Sequence, residues 1–340
     1  MTPEITTHAK IEVRKLDRHG YNCGVRSIER SAGSKRRNQA RAARYSVCLA
    51  ALICCLSSGG LTSPGLAGTA PFGEVNSPLR RPLPPCITES AFFKSLPKSF
   101  QWPDPGDALG LRVLEEYGAM FVARGVVAPP TLILPSQTAV ARWEASLSTE
   151  QAEIAGIPVR LQSAAMRDLM KARQEAFEAH AGISPRGGDA AQRSYDQTLE
   201  LWRSRVNPGL QHWVERGRLN AAEADRIREL PPREQALEIL KLEQGGLYFS
   251  TDFSKPILSS VALPGASQHL ALLALDVKEH DNPVVRRILE RHGWFQTVRW
   301  DLPHFTYLGA DKDQLPAMGL KMVTSGGRVF WVPDIDCPSH

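Results

Sequence analysis

The sequence lacks any run of about 20 consecutive apolar residues, although 42% of its 340 residues are hydrophobic. A helix that crosses a bilayer needs about that many, so no standard transmembrane helix is expected. Cysteine is also scarce, with six in all, and four of these lie before residue 56. The other two, Cys86 and Cys337, could form one disulfide or remain two unrelated buried thiols.

A basic surplus is missing from most of the chain. The formal net charge is +5, yet residues 1–45 alone carry eleven Lys and Arg against four acidic residues. The rest therefore holds 30 basic and 32 acidic residues. Proteins that bind nucleic acid normally carry a basic face and a basic balance, so the composition argues against nucleic acid, or a membrane surface, as a partner.

Residues 1–70 have the order of an export signal. Basic residues at 35–44 precede a short apolar stretch at 47–56, and small residues follow it. A charged segment, an apolar core and a small-residue region are typical of a secretory signal peptide. We therefore expect export to the periplasm or cell envelope, with either an unusually long basic region or a true start downstream of Met1. A short buried or membrane-adjacent helix is the alternative.

The remaining chain divides by composition. Residues 71–105 contain eight prolines, which predicts an extended linker or a strap over the body. The folded domain is expected at 106–340. Helical spacing dominates 106–245, and apolar strand-like segments occupy 246–335. The pattern predicts an α+β fold, with helices around a small, mostly antiparallel sheet.

The element predictions rest on apolar periodicity and on proline and glycine positions. Helices are predicted at 108–124, 163–180, 190–206, 221–242 with a break at the Pro231-Pro232 pair, and 283–292. Strands are predicted at 131–134, 246–250, 270–277, 297–300 and 328–332.

Three side chains of metal-ligating type accompany the apolar run 270–277. His269 precedes the run, Asp276 lies near its end and His304 follows later. Zinc prefers imidazole nitrogen and carboxylate oxygen. Seven residues of strand would span about 23 Å, so His269 and Asp276 could share one ion only if the segment bends or starts as a loop. The structural alternatives are a solvent-facing Asp276 and a core His304.

Asp301 lies three residues before His304, across a proline, so that both side chains can point into one cleft. A carboxylate beside an activated water can take its proton and later give it to a leaving amine. A turn or capping residue is the structural alternative for Asp301.

In their order along the chain, these residues resemble the zinc D-alanyl-D-alanine carboxypeptidase and endopeptidase family, which includes VanY-type enzymes and related phage endolysins. The matching motifs are Ser267-Gln-His269, then Asp276, then Asp301-Leu-Pro-His304, within about 45 residues. The resemblance implies a Hedgehog/DD-peptidase-like fold. It further implies His269, Asp276 and His304 as ligands of one Zn²⁺, and Asp301 as the catalytic carboxylate.

The resemblance also implies an upstream arginine that binds a substrate carboxylate or carbonyl. Arg193, in Arg193-Ser-Tyr, stands in the right order, and Arg186 is its rival. A guanidinium suits the task because its fork matches a carboxylate. Ser267 would be a further hydrogen-bond donor to the substrate. A solvated arginine at a helix start is the structural alternative.

Two departures from the family pattern bear on the substrate. Leu272 stands where the family usually has glycine, and the base is Asp301 rather than the Glu of the carboxypeptidase branch. The resemblance implies a zinc peptidase that cuts peptidoglycan stem peptides, most directly a D-alanyl-D-alanine carboxypeptidase. An L-alanyl-D-glutamate endopeptidase and a non-catalytic cell-wall-binding protein are the alternatives. No membrane span is expected after removal of the leader.

Overall fold

The computed structural model describes residues 83–336, and helices are the most frequent regular structure in them. The predicted leader and Cys337 lie outside these residues. Cys86 is disulfide-bonded, and its pairing with Cys337 stays a prediction. Within the described range, no helix combines the length and the apolar character needed to cross a bilayer.

The helices and strands of residues 83–336 confirm the α+β expectation. The α-helices are α1 (Pro85–Thr88), α2 (Ala91–Ser95), α3 (Ala108–Tyr117), α4 (Gln137–Glu144), α5 (Ser163–Glu178), α6 (Tyr195–Glu215), α7 (Ala221–Arg228), α8 (Pro232–Gln244) and α9 (Pro283–Arg291). The strands are β1 (Thr149–Ile154), β2 (Ile157–Gln162), β3 (Ala274–Asp276), β4 (Trp294–Phe295), β5 (His304–Tyr307), β6 (Leu320–Ser325) and β7 (Arg328–Pro333).

The strands form three small antiparallel sheets. β1 pairs with β2, β6 pairs with β7, and β5 lies between β3 and β4 in the order β3-β5-β4. Apolar side chains of the three-stranded sheet are buried in one contiguous core with those of the surrounding helices. The sheet that carries the predicted ligands is therefore at the centre of the fold, where water is largely excluded.

Local sequence features explain where helix α6 begins and which face it buries. It begins at a capping box, in which the Ser194 hydroxyl and the Gln197 side chain each accept a backbone N–H of the other residue. Its buried side chains recur at helical spacing, at Thr198, Trp202, Val206, Leu210 and Trp213. The cap ends the preceding loop at Arg193, so the position of that arginine is set by the helix start.

Several predicted strands are wrong. Segments 131–134, 246–250 and 297–300 are irregular. These segments are short apolar runs whose side chains are buried although the backbone pairs with no strand. Periodicity alone cannot distinguish such a run from a strand. Conversely, the hairpin of β1 and β2 was not predicted from the sequence, because β1 consists mostly of polar residues. Its turn uses Ala155 and Gly156, both with positive φ, as tight hairpins require.

The segment predicted as a linker packs against the core between residues 85 and 102. Helices α1 and α2 lie in it, and the Phe92 side chain is fully buried. Gly319, at φ +78, makes this contact possible, because a Cβ there would lie 1.9 Å from the Phe92 backbone nitrogen. The ordered fold therefore starts earlier than the expected boundary near Asp107.

A buried carboxyl near the end of α8 holds the loop that follows. Glu243 is 8% exposed, and its Oε1 accepts the Ile257 backbone N–H at 2.6 Å. Burial raises the pKa of Glu243 from 4.5 to about 7, against the opposing effect of that hydrogen bond. The folded state therefore holds a proton between these pH values that the unfolded state has released.

We predict that the free energy of unfolding falls as the pH rises from about 4.5 to 7, by at most about 3 kcal/mol from this group. Glu243→Gln keeps an acceptor oxygen and cannot ionise, so it should flatten this part of the profile. Denaturant unfolding at pH 5, 6, 7 and 8 measures the effect. Glu234→Gln, exposed on the same helix, is the control, and an unaltered slope in Glu243→Gln would contradict the prediction.

Candidate metal centre

The chain folds back between His269 and Asp276. Residues 268–272 form turns, with the Leu270 N–H donating to the Ser267 carbonyl at 3.1 Å. Strand β3 is therefore only three residues long, and the strand predicted at 270–277 is wrong over its first half. The loop removes the 23 Å separation expected for a continuous strand and brings the two side chains together.

Leu272 makes the last of these turns. Its φ of 56° lies in the left-handed region, which costs an L-residue roughly 1–2 kcal/mol. Its side chain is fully buried, and its carbonyl accepts the Gln162 backbone N–H at 3.1 Å. This conformation favours glycine. Glycine is also the usual residue at this position in the peptidase family that the sequence resembles.

Strand register places Asp276 and His304 side by side. The two residues are direct partners in the antiparallel pair of β3 and β5. Asp301 lies on the tight turn before β5, where its carbonyl accepts the His304 N–H at 3.1 Å. Asp276 ends β3 and His304 begins β5, so the antiparallel pairing places both residues at the same end of the sheet.

Three ligand atoms converge in this buried cluster. His269 Nε2 lies 3.2 Å from His304 Nδ1 and 3.3 Å from Asp276 Oδ1, and the remaining pair, His304 Nδ1 and Asp276 Oδ1, is 3.2 Å apart. Tetrahedral zinc with bonds of about 2.0–2.1 Å has ligand edges of about 3.3–3.4 Å. The residues thus fit a zinc ion in both donor type and spacing.

The protonation states of the cluster also suit a metal. Burial lowers the pKa of His269, so its imidazole stays neutral with a free lone pair. Burial alone would raise the pKa of Asp276, but the neighbouring His269 and His304 hold it well below its usual value. Metal ligands must be deprotonated, and both residues meet this requirement at neutral pH.

Arg193 lies behind the cluster. Its Nη2 donates to Asp276 Oδ2 at 2.7 Å, and its Nε donates to the Asp189 carbonyl at 3.2 Å. The side chain is 16% exposed and also lines the cleft. The structure thus joins Arg193 to a candidate ligand, a contact that the sequence did not predict.

A cleft of about 410 Å³ opens beside the cluster. Arg186 is exposed on its wall and, within residues 83–336, its guanidinium makes no hydrogen bond or ion pair. Ser267 is buried, with its Oγ accepting the His269 N–H at 3.4 Å. The structure brings all the predicted site residues to this one cleft: Arg186, Arg193, Ser267, His269, Asp276, Asp301 and His304.

Gln268 contacts the cluster in a way that the sequence did not indicate. Its Oε1 accepts His304 Nε2–H at 2.8 Å, and its Nε2 donates to the Tyr117 carbonyl at 2.9 Å. Thr306 Oγ1 also donates to Oε1. A hydrogen bond to one imidazole nitrogen directs the other toward the metal, so Gln268 presents His304 Nδ1 to the cluster. No local pattern marks this residue, because His304 is 36 positions away.

We predict that Gln268→Ala lowers zinc affinity about 10–100-fold, the usual effect of losing an orienting partner. Chelator competition measures the affinity, and the unfolding midpoint reports on the fold. Gln268→Glu retains the acceptor for His304 and should restore most of the affinity. Equal zinc affinity in Gln268→Ala and wild type would rule out the orienting role.

We predict that Leu272→Gly is more stable than Leu272→Ala by about 1 kcal/mol, because glycine tolerates positive φ. Both should be less stable than wild type, since either loses a buried side chain. Leu275 is the matched control, being buried in β3 with an ordinary φ. At Leu275 the Gly variant should be less stable than the Ala variant. If the Gly variant is the more stable of the two at both positions, or at neither, the prediction is contradicted. Denaturant unfolding gives all four values.

No protein-family model matches the sequence, and no curated protein matches it. Two solved structures are similar to part of the chain. One is a mutant of the vancomycin resistance D,D-pentapeptidase VanY from a VanB-type cassette, in complex with Zn(II). It is 16% identical, covers 48% of this chain and 82% of its own, and has a TM-score of 0.29. The other is VanYB in complex with D-Alanine-D-Alanine. It is 16% identical, the match covers 48% of this chain and 80% of the VanYB chain, and the TM-score is 0.30. Because these TM-scores are low, the function proposed below rests on the side chains of this chain.

Proposed function

We propose that the protein is a zinc-dependent peptidase that hydrolyses peptidoglycan stem peptides, most directly as a D-alanyl-D-alanine carboxypeptidase. The observation that carries the proposal is the convergence of His269, Asp276 and His304 at zinc-ligand spacing. Asp301 lies on the same cleft. The ordered motif shared with the zinc carboxypeptidase and endopeptidase family supports the same chemistry and supplies the substrate class.

The ligand set is the kind that catalytic zinc sites use, with three protein side chains of imidazole and carboxylate type. Zn²⁺ bound there would supply a Lewis acid for the scissile carbonyl and a more acidic water. Burial of all three ligands keeps the surroundings low in dielectric, where charge stabilisation is most effective.

Asp301 is the proposed proton carrier. Its carboxylate takes a proton from the attacking water and gives it to the nitrogen of the leaving amine as the C–N bond breaks. The backbone bond from His304 N–H to the Asp301 carbonyl supports this role, because it fixes the turn that carries the carboxylate next to a ligand. Arg299 adds an anchor, since its guanidinium donates to the buried Glu116 at 2.9 Å.

Two arginines share the remaining work in this proposal. Arg193 orients Asp276 through the 2.7 Å contact, and, as part of the cleft lining, it can bind a substrate oxygen. Arg186 is free for a substrate carboxylate, and the Ser267 hydroxyl for a hydrogen bond. A guanidinium binds such groups through two parallel N–H donors.

Two further functions remain as alternatives. Endopeptidase action on an L-alanyl-D-glutamate bond is favoured by aspartate, rather than glutamate, as the base. A non-catalytic cell-wall-binding protein would use the same cleft without hydrolysis. Export of the protein through the signal-like leader at 1–70 stays part of the proposal, since the substrate lies outside the cytoplasm.

The test is digestion of purified muropeptides with and without a chelator, followed by mass analysis. We predict loss of one terminal alanine, abolished by the chelator. Asp301→Asn should slow the reaction by about 100-fold or more while its zinc content is unchanged. Asp313→Asn, on an exposed residue away from the cleft, should retain wild-type rates.

Each other result has a defined meaning. Separated crosslinks in place of released alanine would assign endopeptidase action. Unchanged product release by zinc-loaded Asp301→Asn would remove Asp301 from the mechanism. Intact muropeptides in every arm, with zinc bound, would leave the non-catalytic alternative.

A further inference from the structure

We propose that Arg205, Lys255 and the Ser260 hydroxyl form an anion-binding subsite of the cleft, which takes a carboxylate of the peptide substrate. Arg205 lies on α6, and the other two residues lie in the segment between α8 and His269. All three line the same cleft as the metal ligands. The inference rests on the proposed peptidase function and specifies its substrate as an acidic peptide.

Arg205 carries an uncompensated charge on the cleft wall. Its Nε donates to Ser260 Oγ at 2.9 Å, and its Nη1 donates to Ser204 Oγ at 2.8 Å. Both partners are neutral hydroxyls, and no carboxylate in residues 83–336 forms an ion pair with Arg205. The two bonds hold the guanidinium in place, which lowers the entropy lost when it binds an anion.

Lys255 brings a second positive charge to the cleft wall, beside Trp300. Its Nζ lies 4.8 Å from the centroid of the Trp300 ring, the residue directly before Asp301. Such a cation–π contact is weak at an exposed site, and Trp300 is 44% exposed. Lys255 forms no ion pair in the described part of the chain, so its ammonium is available to a substrate.

The charge of the cleft differs from that of the chain around it. Beyond residue 45, acidic residues slightly outnumber basic ones, whereas the cleft wall has four cations and three carboxylates. One carboxylate, Asp276, is already paired with Arg193, and another, Asp252, accepts hydroxyls of Ser250 and Ser254. A bound metal would add further positive charge. Four cations against three carboxylates leave the wall a small excess of positive charge, which favours an anionic ligand over a cationic one.

Arg193 does not serve this purpose by itself. Its guanidinium is engaged by Asp276 and Asp189. A peptide that presents a carboxylate away from the scissile bond therefore needs other cations. Arg205 and Lys255 are the ones on the cleft wall, besides Arg186, that have no acidic partner in residues 83–336.

The experiment compares three synthetic peptides on the full chain. They are L-Ala-γ-D-Glu-L-Lys-D-Ala-D-Ala, its C-terminal amide, and its form with the D-Glu α-carboxylate amidated. Dissociation constants are measured by calorimetry in an Asp301→Asn background, so that binding is read without turnover. Arg205→Gln and Lys255→Gln are tested against Arg203→Gln, which changes an exposed α6 arginine away from the cleft.

We expect the protein with Arg205 and Lys255 intact to prefer the free acid over one of the two amides by about tenfold or more, as for a charge-assisted hydrogen bond. Arg205→Gln and Lys255→Gln should each reduce that preference to less than about threefold, whereas Arg203→Gln retains it. The amide that loses affinity identifies which substrate carboxylate is bound. Unfolding midpoints report whether each variant folds.

A preference that survives in both cleft variants, or that falls equally in Arg203→Gln, would overturn the subsite. Equal weakening of all three peptides would also overturn it, because it would mean a loss of shape and not of charge recognition. Failure of the peptidase function is separate, since it appears as absent hydrolysis by the zinc-loaded wild type while the carboxylate preference persists.

Discussion

The buried carboxylate of Asp276 is the group on which the site depends. It is 8% exposed, and a charge so placed is costly unless it is paired and hydrogen-bonded. Two imidazoles and one guanidinium surround it, from His269, His304 and Arg193. Each comes from a different part of the chain. The turn after His269, the pairing of β3 with β5, and the cap of α6 therefore all serve to complete this one environment.

The turn that carries Asp301 is held by a second set of contacts. Glu116 on α3 is buried, and burial raises its pKa against the effect of Arg112 and Arg299. Arg299, two residues before Asp301, donates to it. Arg112 also pairs with Glu116, at 2.6 Å, so two guanidinium groups balance this buried carboxylate. The contact joins the turn that carries Asp301 to α3.

The proposed anion subsite comes from the long helical segment between Arg193 and His269. Helix α6 contributes Arg205, and the loop after α8 contributes Lys255 and Ser260 to the cleft wall. Glu243 fixes the same loop through Ile257. The candidate ligands and the residues of the proposed subsite thus belong to different elements. The subsite residues can therefore change in sequence while the ligand cluster stays intact.

The sequence by itself determined the residue types of the site and the local elements. Helices at Ser163–Glu178 and Pro283–Arg291, the break before Pro232, and the strand Arg328–Pro333 follow from periodicity and from proline placement. These signals are local, so only the motif resemblance led us to expect that Asp276 and His304, 28 residues apart, share one site, and the fold brings them to 3.2 Å. Only the tertiary structure decided the β3–β5 register, the left-handed turn at Leu272, and the partners of Gln268 and Arg193. The reason is that ligand convergence depends on contacts between distant segments, which no spacing along the chain encodes.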